Sequence, residues 1–217
     1  MESGNGLFIT FEGVDKAGKS TQIRLLRQRL EERGRTVVCT REPGGTALCE
    51  RIRELVMQFR QENISSEAEL MLFSASRAQL LRQLVWPELE KGHVVLCDRF
   101  ADSTTAYQGY ARGMDLEFIR RLNDYTLGGR WPDLTILLDL DARQGLDRLQ
   151  NVQAATHVEN DRFEDEGCSF QERVRRGFLE IARQEPGRVA VVPAAQPIET
   201  VAAAVWEKVR AILPETR

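Results

Sequence analysis

Histidine is nearly missing from this chain: only His93 and His157 occur, and neither has a metal or triad partner close in sequence. Both therefore read as structural or surface residues. The four cysteines, Cys39, Cys49, Cys97 and Cys168, include no CxxC pair. That spacing argues against a zinc centre or a disulfide framework and leaves reduced thiols as the expectation. Long apolar runs are also lacking, whereas a spanning helix needs about 20 consecutive apolar residues, so no membrane partner is expected. Met1 to Gly6 is polar, without a basic stretch leading into an apolar core. It does not read as an export signal, and a cytoplasmic location is expected. A large excess of one charge is absent too: the formal net charge is -3. Nucleic acid is not expected as a partner, because phosphate contacts along a strand demand a basic face. Repeats, low-complexity tracts and linkers are not found, so the 217 residues, 42% of them hydrophobic, predict one domain over 1–217.

Glycine is placed with purpose. Gly13, Val14, Asp15, Lys16, Ala17, Gly18, Lys19 and Ser20 fit GxxxxGK[ST] at every fixed position, directly after the apolar run Leu7 to Phe11. Such a loop turns successive backbone N–H groups toward an anion. Its lysine, Lys19, reaches β- and γ-phosphates, and its hydroxyl, Ser20, holds Mg²⁺. Thr21 follows in the same nucleotide-binding stretch. Asp15 and Lys16 put an acid and a base inside the loop, which predicts that the loop serves a second substrate as well as the first.

Short apolar runs alternate with longer amphipathic ones, the pattern of βαβ units around a parallel sheet. Five strands are predicted: Leu7 to Phe11, Thr36 to Thr40, Val94 to Cys97, Leu134 to Leu140 and Val189 to Val192. Ile23, Leu25, Leu26 and Leu30 place a helix after the loop, with Gly34 as its stop. Ser65, Ser66, Glu67 and Glu69 mark the start of a long helix reaching Leu89, its final turn bent by Pro87. Two shorter helices are expected over Ser103 to Ala111 and Leu116 to Leu127, and a last one over Ile198 to Leu213. Gly145 is read as interrupting a short helix. Periodicity fails between Asn151 and Cys168, which predicts a functional loop or lid over approximately 148–168.

Charged residues cluster where strands end. Val95 to Cys97 runs into Asp98 and Arg99, and strand C-terminal ends are where open α/β sheets bind ligands. Asp98 is placed to support Mg²⁺ with Ser20, and Arg99 to bridge donor and acceptor phosphates; a plain ion pair is the alternative. Phe73 and Arg77, four residues apart on one helix face, pair a stacking ring with a fork of donors suited to a planar base. Taken without context, Phe73 reads as core and Arg77 as solvated. Ser103, Thr104, Tyr107 and Gln108 form a polar helical face able to read a base edge and ribose, with capping the simpler role for Ser103. Arg41 and Arg53 are suited to an acceptor phosphate, while Arg51 reads as solvated. Arg148 stands at the lid's entrance and Arg162 near its exit.

These motifs resemble those of the thymidylate kinase family over almost the whole chain. The resemblance rests on FEGVDKAGKSTQ from Phe11, TREPGGT from Thr40, LMLFSASRAQLL from Leu70, CDRFADSTTAYQG from Cys97 and PDLTILLDL from Pro132. It implies a three-layer α/β/α P-loop NTPase fold with a five-stranded parallel sheet, ATP- and Mg²⁺-dependent conversion of dTMP to dTDP, and a homodimer packed through helices. It further implies that Phe73 stacks on thymine, that Arg77 donates to a thymine carbonyl, and that Thr104 and Gln108 meet the base edge. Tyr107 is implied beside the sugar, Asp15 at its 3′-hydroxyl, and Pro43 with Arg41, Arg53 and Arg99 around the dTMP phosphate. Lys16, Lys19, Arg99, Arg148 and Arg162 are the implied catalytic cations. Family members with TREPGG usually have a small residue at the Lys16 position and arginines in the lid, yet Leu149 to Asn160 contains none. Competing readings are a kinase for another nucleotide or a deoxynucleoside, disfavoured by the arginine cluster, and an ATP-driven switch, disfavoured by the Phe73 and Arg77 pair.

Overall fold

The computed structural model describes residues 6–58, 63–156, 163 and 166–213, without the side chains of 151–156. Five parallel strands, β1 (Leu7–Glu12), β2 (Val37–Arg41), β3 (Val94–Asp98), β4 (Leu134–Asp139) and β5 (Val189–Pro193), lie in the order β2-β3-β1-β4-β5. All five expected strands are present, with ends shifted by at most one residue. The helices are α1 (Lys19–Glu31), α2 (Ala47–Gln58), α3 (Ser66–Leu80), α4 (Trp86–Glu90), α5 (Ala101–Thr104), α6 (Leu116–Leu127), α7 (Ala142–Thr156), α8 (Cys168–Gln184) and α9 (Ile198–Arg210).

Alternation along β1 creates two cores. Leu7, Ile9 and Phe11 pack on one face with Leu26 and Leu30 of α1 and Val201, Val205 and Val209 of α9. Phe8 joins the opposite core, with Val95, Cys97, Leu80 and Leu127. A sheet covered on both faces accounts for near-continuous apolar strands. Most of the buried polar exceptions are paired, as burial requires, although the Ser76 hydroxyl is not. Thr10 and Thr135 share a hydroxyl contact of 2.8 Å, and Arg188 grips Asp102 at 2.7 and 2.9 Å.

Several local expectations are corrected. The long helix does begin at Ser65, whose hydroxyl accepts from the Ala68 N–H, but its ladder widens to π geometry over Leu81–Val85 before Pro87 in α4. Proline lacks an N–H and crowds the carbonyl four residues back, and a π turn relieves both. The predicted helix from Ser103 starts at Ala101 and passes into π geometry over Thr105–Ala111. Gly145 does not interrupt a helix; it lies in the first turn of α7, which extends to Thr156 and so into the stretch read as aperiodic. Residues 157–162 lie outside the described part. Helix α8 was not anticipated at all, although Phe170, Val174, Phe178 and Ile181 are buried along it at helical spacing.

Candidate active site

The strand order brings the ends of β1, β2 and β3 together: Phe11 and Arg41 both pair with Asp98. A cavity of about 850 Å³ opens there, lined by the loop from Asp15 to Thr21, by Arg41, Pro43, Arg53, Phe73, Arg77, Asp98, Arg99, Thr104, Tyr107, Gln108 and Arg148, and by Phe163. Nearly every residue singled out from the sequence thus meets in one place. Gly13 and Val14 belong to the loop without lining the cavity, and Arg162 lies outside the described residues.

The loop's geometry follows from its glycines. Gly13 has φ 138°, and a Cβ there would meet the Leu138 carbonyl oxygen at 2.5 Å. Only glycine fits both demands. Gly18, at φ 100°, precedes α1, whose N-terminal N–H groups face the cavity mouth and attract an anion. Among the described residues, Lys16 (φ 58°) and Arg99 (φ 66°) are the two non-glycines in the left-handed region, and both line this cavity. Strain of about 1–2 kcal/mol per residue concentrated at one site marks function.

The cations are held in specific ways. Lys19 is buried and donates to the carbonyl oxygens of Gly13 (3.2 Å) and Val14 (3.0 Å); burial, with Arg99 nearby, lowers its pKa to about 8. Arg99 donates to the Gly13 carbonyl at 3.1 Å and pairs with Asp15. Burial works against the Asp15 charge, but Arg99 and Lys19 outweigh it and hold its carboxyl below the ordinary value. Arg148 donates to the Lys16 and Ala194 carbonyl oxygens, each at 3.3 Å, which sets it above the loop. Arg41 is tied to Glu50 at 2.9 Å, and Arg53 donates to the Pro43 carbonyl at 3.1 Å.

Ser20 donates to Asp98 at 2.8 Å. A hydroxyl and a carboxylate side by side next to a phosphate loop are hard oxygen donors of the kind Mg²⁺ takes. No cluster of three or more potential metal-ligating side chains occurs among the described residues. A cation at Ser20 and Asp98 would therefore complete its shell with phosphate oxygens and water.

Across the cavity, Phe73 is half-buried with its ring 5.9 Å from that of Phe163. Tyr107 packs against Phe163 and Phe170, beneath the Arg99 guanidinium. Arg77 is neither solvated nor loosely held. It is 1% exposed and donates to Glu42 (2.9 Å), Asn123 (2.9 Å) and Thr104 (2.8 Å). Burial raises the pKa of Glu42 to about 7 despite Arg77.

Five supporting residues escaped the sequence reading. Glu42 and Asn123 clamp Arg77. Glu12 accepts from the N–H groups of Phe100 (2.8 Å) and Ser103 (3.1 Å) and is 2.6 Å from the Ser103 hydroxyl, so Ser103 serves this anchor and not a simple cap. Burial, reinforced by Asp102, raises the Glu12 pKa. Gln171, on the unanticipated α8, donates to Asp15 at 2.9 Å. Glu69 looks in the sequence like a helix-start acid alone, yet it is 1% exposed and holds Gln108. Glu12 and Glu42 did carry a signal: each is an acid at the end of an apolar strand, like Asp98.

The family model described as thymidylate kinase matches residues 11–205. A thymidylate kinase of Desulfovibrio desulfuricans is 51% identical over 197 residues, covering 90% of this chain and 91% of that one. One of Magnetococcus marinus is 47% identical over 204 residues, covering 94% and 95%. In structure, the thymidylate kinase of Ehrlichia chaffeensis superimposes with a TM-score of 0.76 at 35% identity, covering 94% of this chain and 99% of that one.

Proposed function

Because the chain belongs to the thymidylate kinase family and so converts dTMP to dTDP, we propose that ATP is the phosphoryl donor, with Mg²⁺, and that the cavity of about 850 Å³ holds both nucleotides. The observation that carries this division is the convergence of a phosphate loop, three arginines and the Phe73, Arg77 and Gln108 side chains on one cavity. The loop and the α1 N-terminus take the ATP phosphates. Arg41, Arg53 and Arg99 surround the acceptor phosphate, whose fork-like recognition arginine suits. Phe73 stacks on the base, Arg77 and Gln108 address its edge with Thr104 behind Arg77, and Asp15 and Tyr107 lie toward the sugar.

An oxygen of the dTMP phosphate attacks the γ-phosphorus, and the bond to the β–γ bridging oxygen breaks as ADP leaves. No side-chain base is required, since the attacking phosphate is already anionic. Alignment and charge neutralisation carry the catalysis. Arg99 lies between the two phosphates, Lys19 shifts from the loop carbonyls to the donor phosphates, and Lys16 and Arg148 approach the transferring group. Mg²⁺, when bound at Ser20 and Asp98, neutralises charge on the donor phosphates. The stretch 148–168 acts as a lid. In support, Phe163 packs on the Phe73 and Tyr107 rings and Glu166 pairs with Arg112 at 2.8 Å.

Two further assignments belong here. The chain works as a homodimer, for which the apolar residues exposed on α2, α3 and α6 provide a face. Its compartment is the cytoplasm, consistent with four free thiols; no described helix is long and apolar enough to cross a membrane.

The experiment is to supply ATP and Mg²⁺ with dTMP, dUMP, dCMP, dGMP or thymidine in turn. Strong turnover is expected with dTMP, loss of turnover on chelation with EDTA, and recovery on adding Mg²⁺. A preference for thymidine or dGMP would overturn the assignment of the acceptor pocket.

A further inference from the structure

Gln108 is 2% exposed and lines the cavity, and its amide could face that space with either end. An amide offers a donor or an acceptor according to which way it is turned, so the turn decides which base edge fits. Glu69, itself 1% exposed, accepts from Gln108 Nε2 at 2.8 Å. A carboxylate has only acceptors, so the nitrogen of Gln108 must face Glu69. Arg112 fixes the carboxylate in turn, donating from Nε at 2.8 Å and from Nη2 at 3.2 Å. What is left for the cavity is the Gln108 oxygen, an acceptor, which takes no hydrogen bond from the described residues.

The Arg77 guanidinium, which lines the same cavity and donates to Thr104 four residues before Gln108, can only donate. The pair therefore presents donor then acceptor, the complement of a pyrimidine with a carbonyl at C4 and an N–H at N3. Cytosine reverses both groups: its C4 amino group donates and its bare N3 accepts. We propose that Glu69, clamped by Arg112, is a positioning residue that locks the Gln108 amide with its oxygen toward the base, and so makes the site select thymine-type over cytosine-type acceptors. The inference rests on dTMP occupying this cavity.

The test compares kcat/KM for dTMP and dCMP in wild type, Glu69→Gln, Gln108→Leu and the double variant. A neutral amide at 69 permits Gln108 to turn over. The dTMP to dCMP ratio is then expected to fall at least tenfold, chiefly through KM for dTMP, while the same change made in the Gln108→Leu background leaves the ratio unmoved, as coupling through one contact requires. Should Glu69→Gln fold poorly, Glu69→Ala removes the acceptor that holds the Gln108 amide and must move the ratio in the same direction. A ratio preserved in the single variants, or an equal fall without Gln108, overturns the proposal. Failure of the wild type to use dTMP would instead indict the acceptor assignment itself.

Discussion

Lys16 occupies a backbone conformation that glycine would adopt without strain. At φ 58° a side chain costs about 1–2 kcal/mol, yet a lysine stands there, and its carbonyl receives Arg148 at 3.3 Å. Strain tolerated beside a phosphate loop points to work done by the side chain, and the proposed work is to meet charge on the transferring group. Lys16→Gly separates strain from chemistry. Relief of the left-handed strain is offset by the roughly 0.5–1 kcal/mol that glycine's unfolded-state freedom costs, so unfolding free energy should stay within about 1 kcal/mol of wild type. By contrast, kcat should fall at least tenfold with KM for dTMP little changed, as expected when an interaction exists only in the transition state. Denaturant titration and steady-state kinetics on the same preparation decide it; an undiminished kcat would remove Lys16 from the catalytic set. Much at this scale was legible in the sequence, because GxxxxGK[ST] and a strand ending in Asp98 and Arg99 are local signals. Glu42, Asn123 and Gln171 were not, since each acts through a partner 35, 46 or 156 residues away.

Helix α7 backs directly onto the phosphate loop. A Cβ on Gly145 would stand 2.8 Å from the Asp15 carbonyl oxygen, a backbone atom that cannot swing aside. Helix propensity alone says that Gly145→Ala should stabilise by about 1 kcal/mol. The contact says the reverse: overpacking costs about 1–3 kcal/mol, and displacing Asp15 also disturbs Arg99. The expected outcome is a lower melting temperature and weaker ATP binding, followed by thermal unfolding and calorimetry. A stabilised variant with unaltered ATP affinity would show that the loop yields freely. The same glycine explains why the sequence misleads here. Read along the chain it looks like a helix breaker, and its purpose appears only when the loop packs across it. The π segments escaped for a related reason: period 3.6 is read from apolar spacing, which one widened turn barely alters, whereas the strands announce themselves as apolar runs, with β1, β3 and β4 buried on both faces.

For the molecule as a whole, the apolar residues that neither core absorbs are concentrated on adjacent helices. Leu48 (53% exposed) and Leu55 (45%) lie seven residues apart on α2, Met71 (46%) is on α3, and Phe118 (39%) and Tyr125 (85%) are again seven apart on α6. Each seven-residue pair shares one helix face. An exposed apolar patch of this kind is the face proposed for the dimer, and a stable interface buries about 1,600 Å² in total. The same α2 carries Arg53, and the same α3 carries Phe73 and Arg77, into the cavity where the acceptor is proposed to bind. Helices clamped from outside would hold those side chains in register, so assembly and acceptor binding should be linked. Replacing Leu55 and Met71 together by glutamate is therefore expected to convert a dimer to a monomer in sedimentation velocity, with helical content retained. It should also raise KM for dTMP by more than KM for ATP, because the phosphate loop and α1 lie on other elements. A wild-type chain that sediments as a monomer at micromolar concentration would sink the dimer. A monomeric variant with an unchanged dTMP KM would keep the interface and break its link to the site.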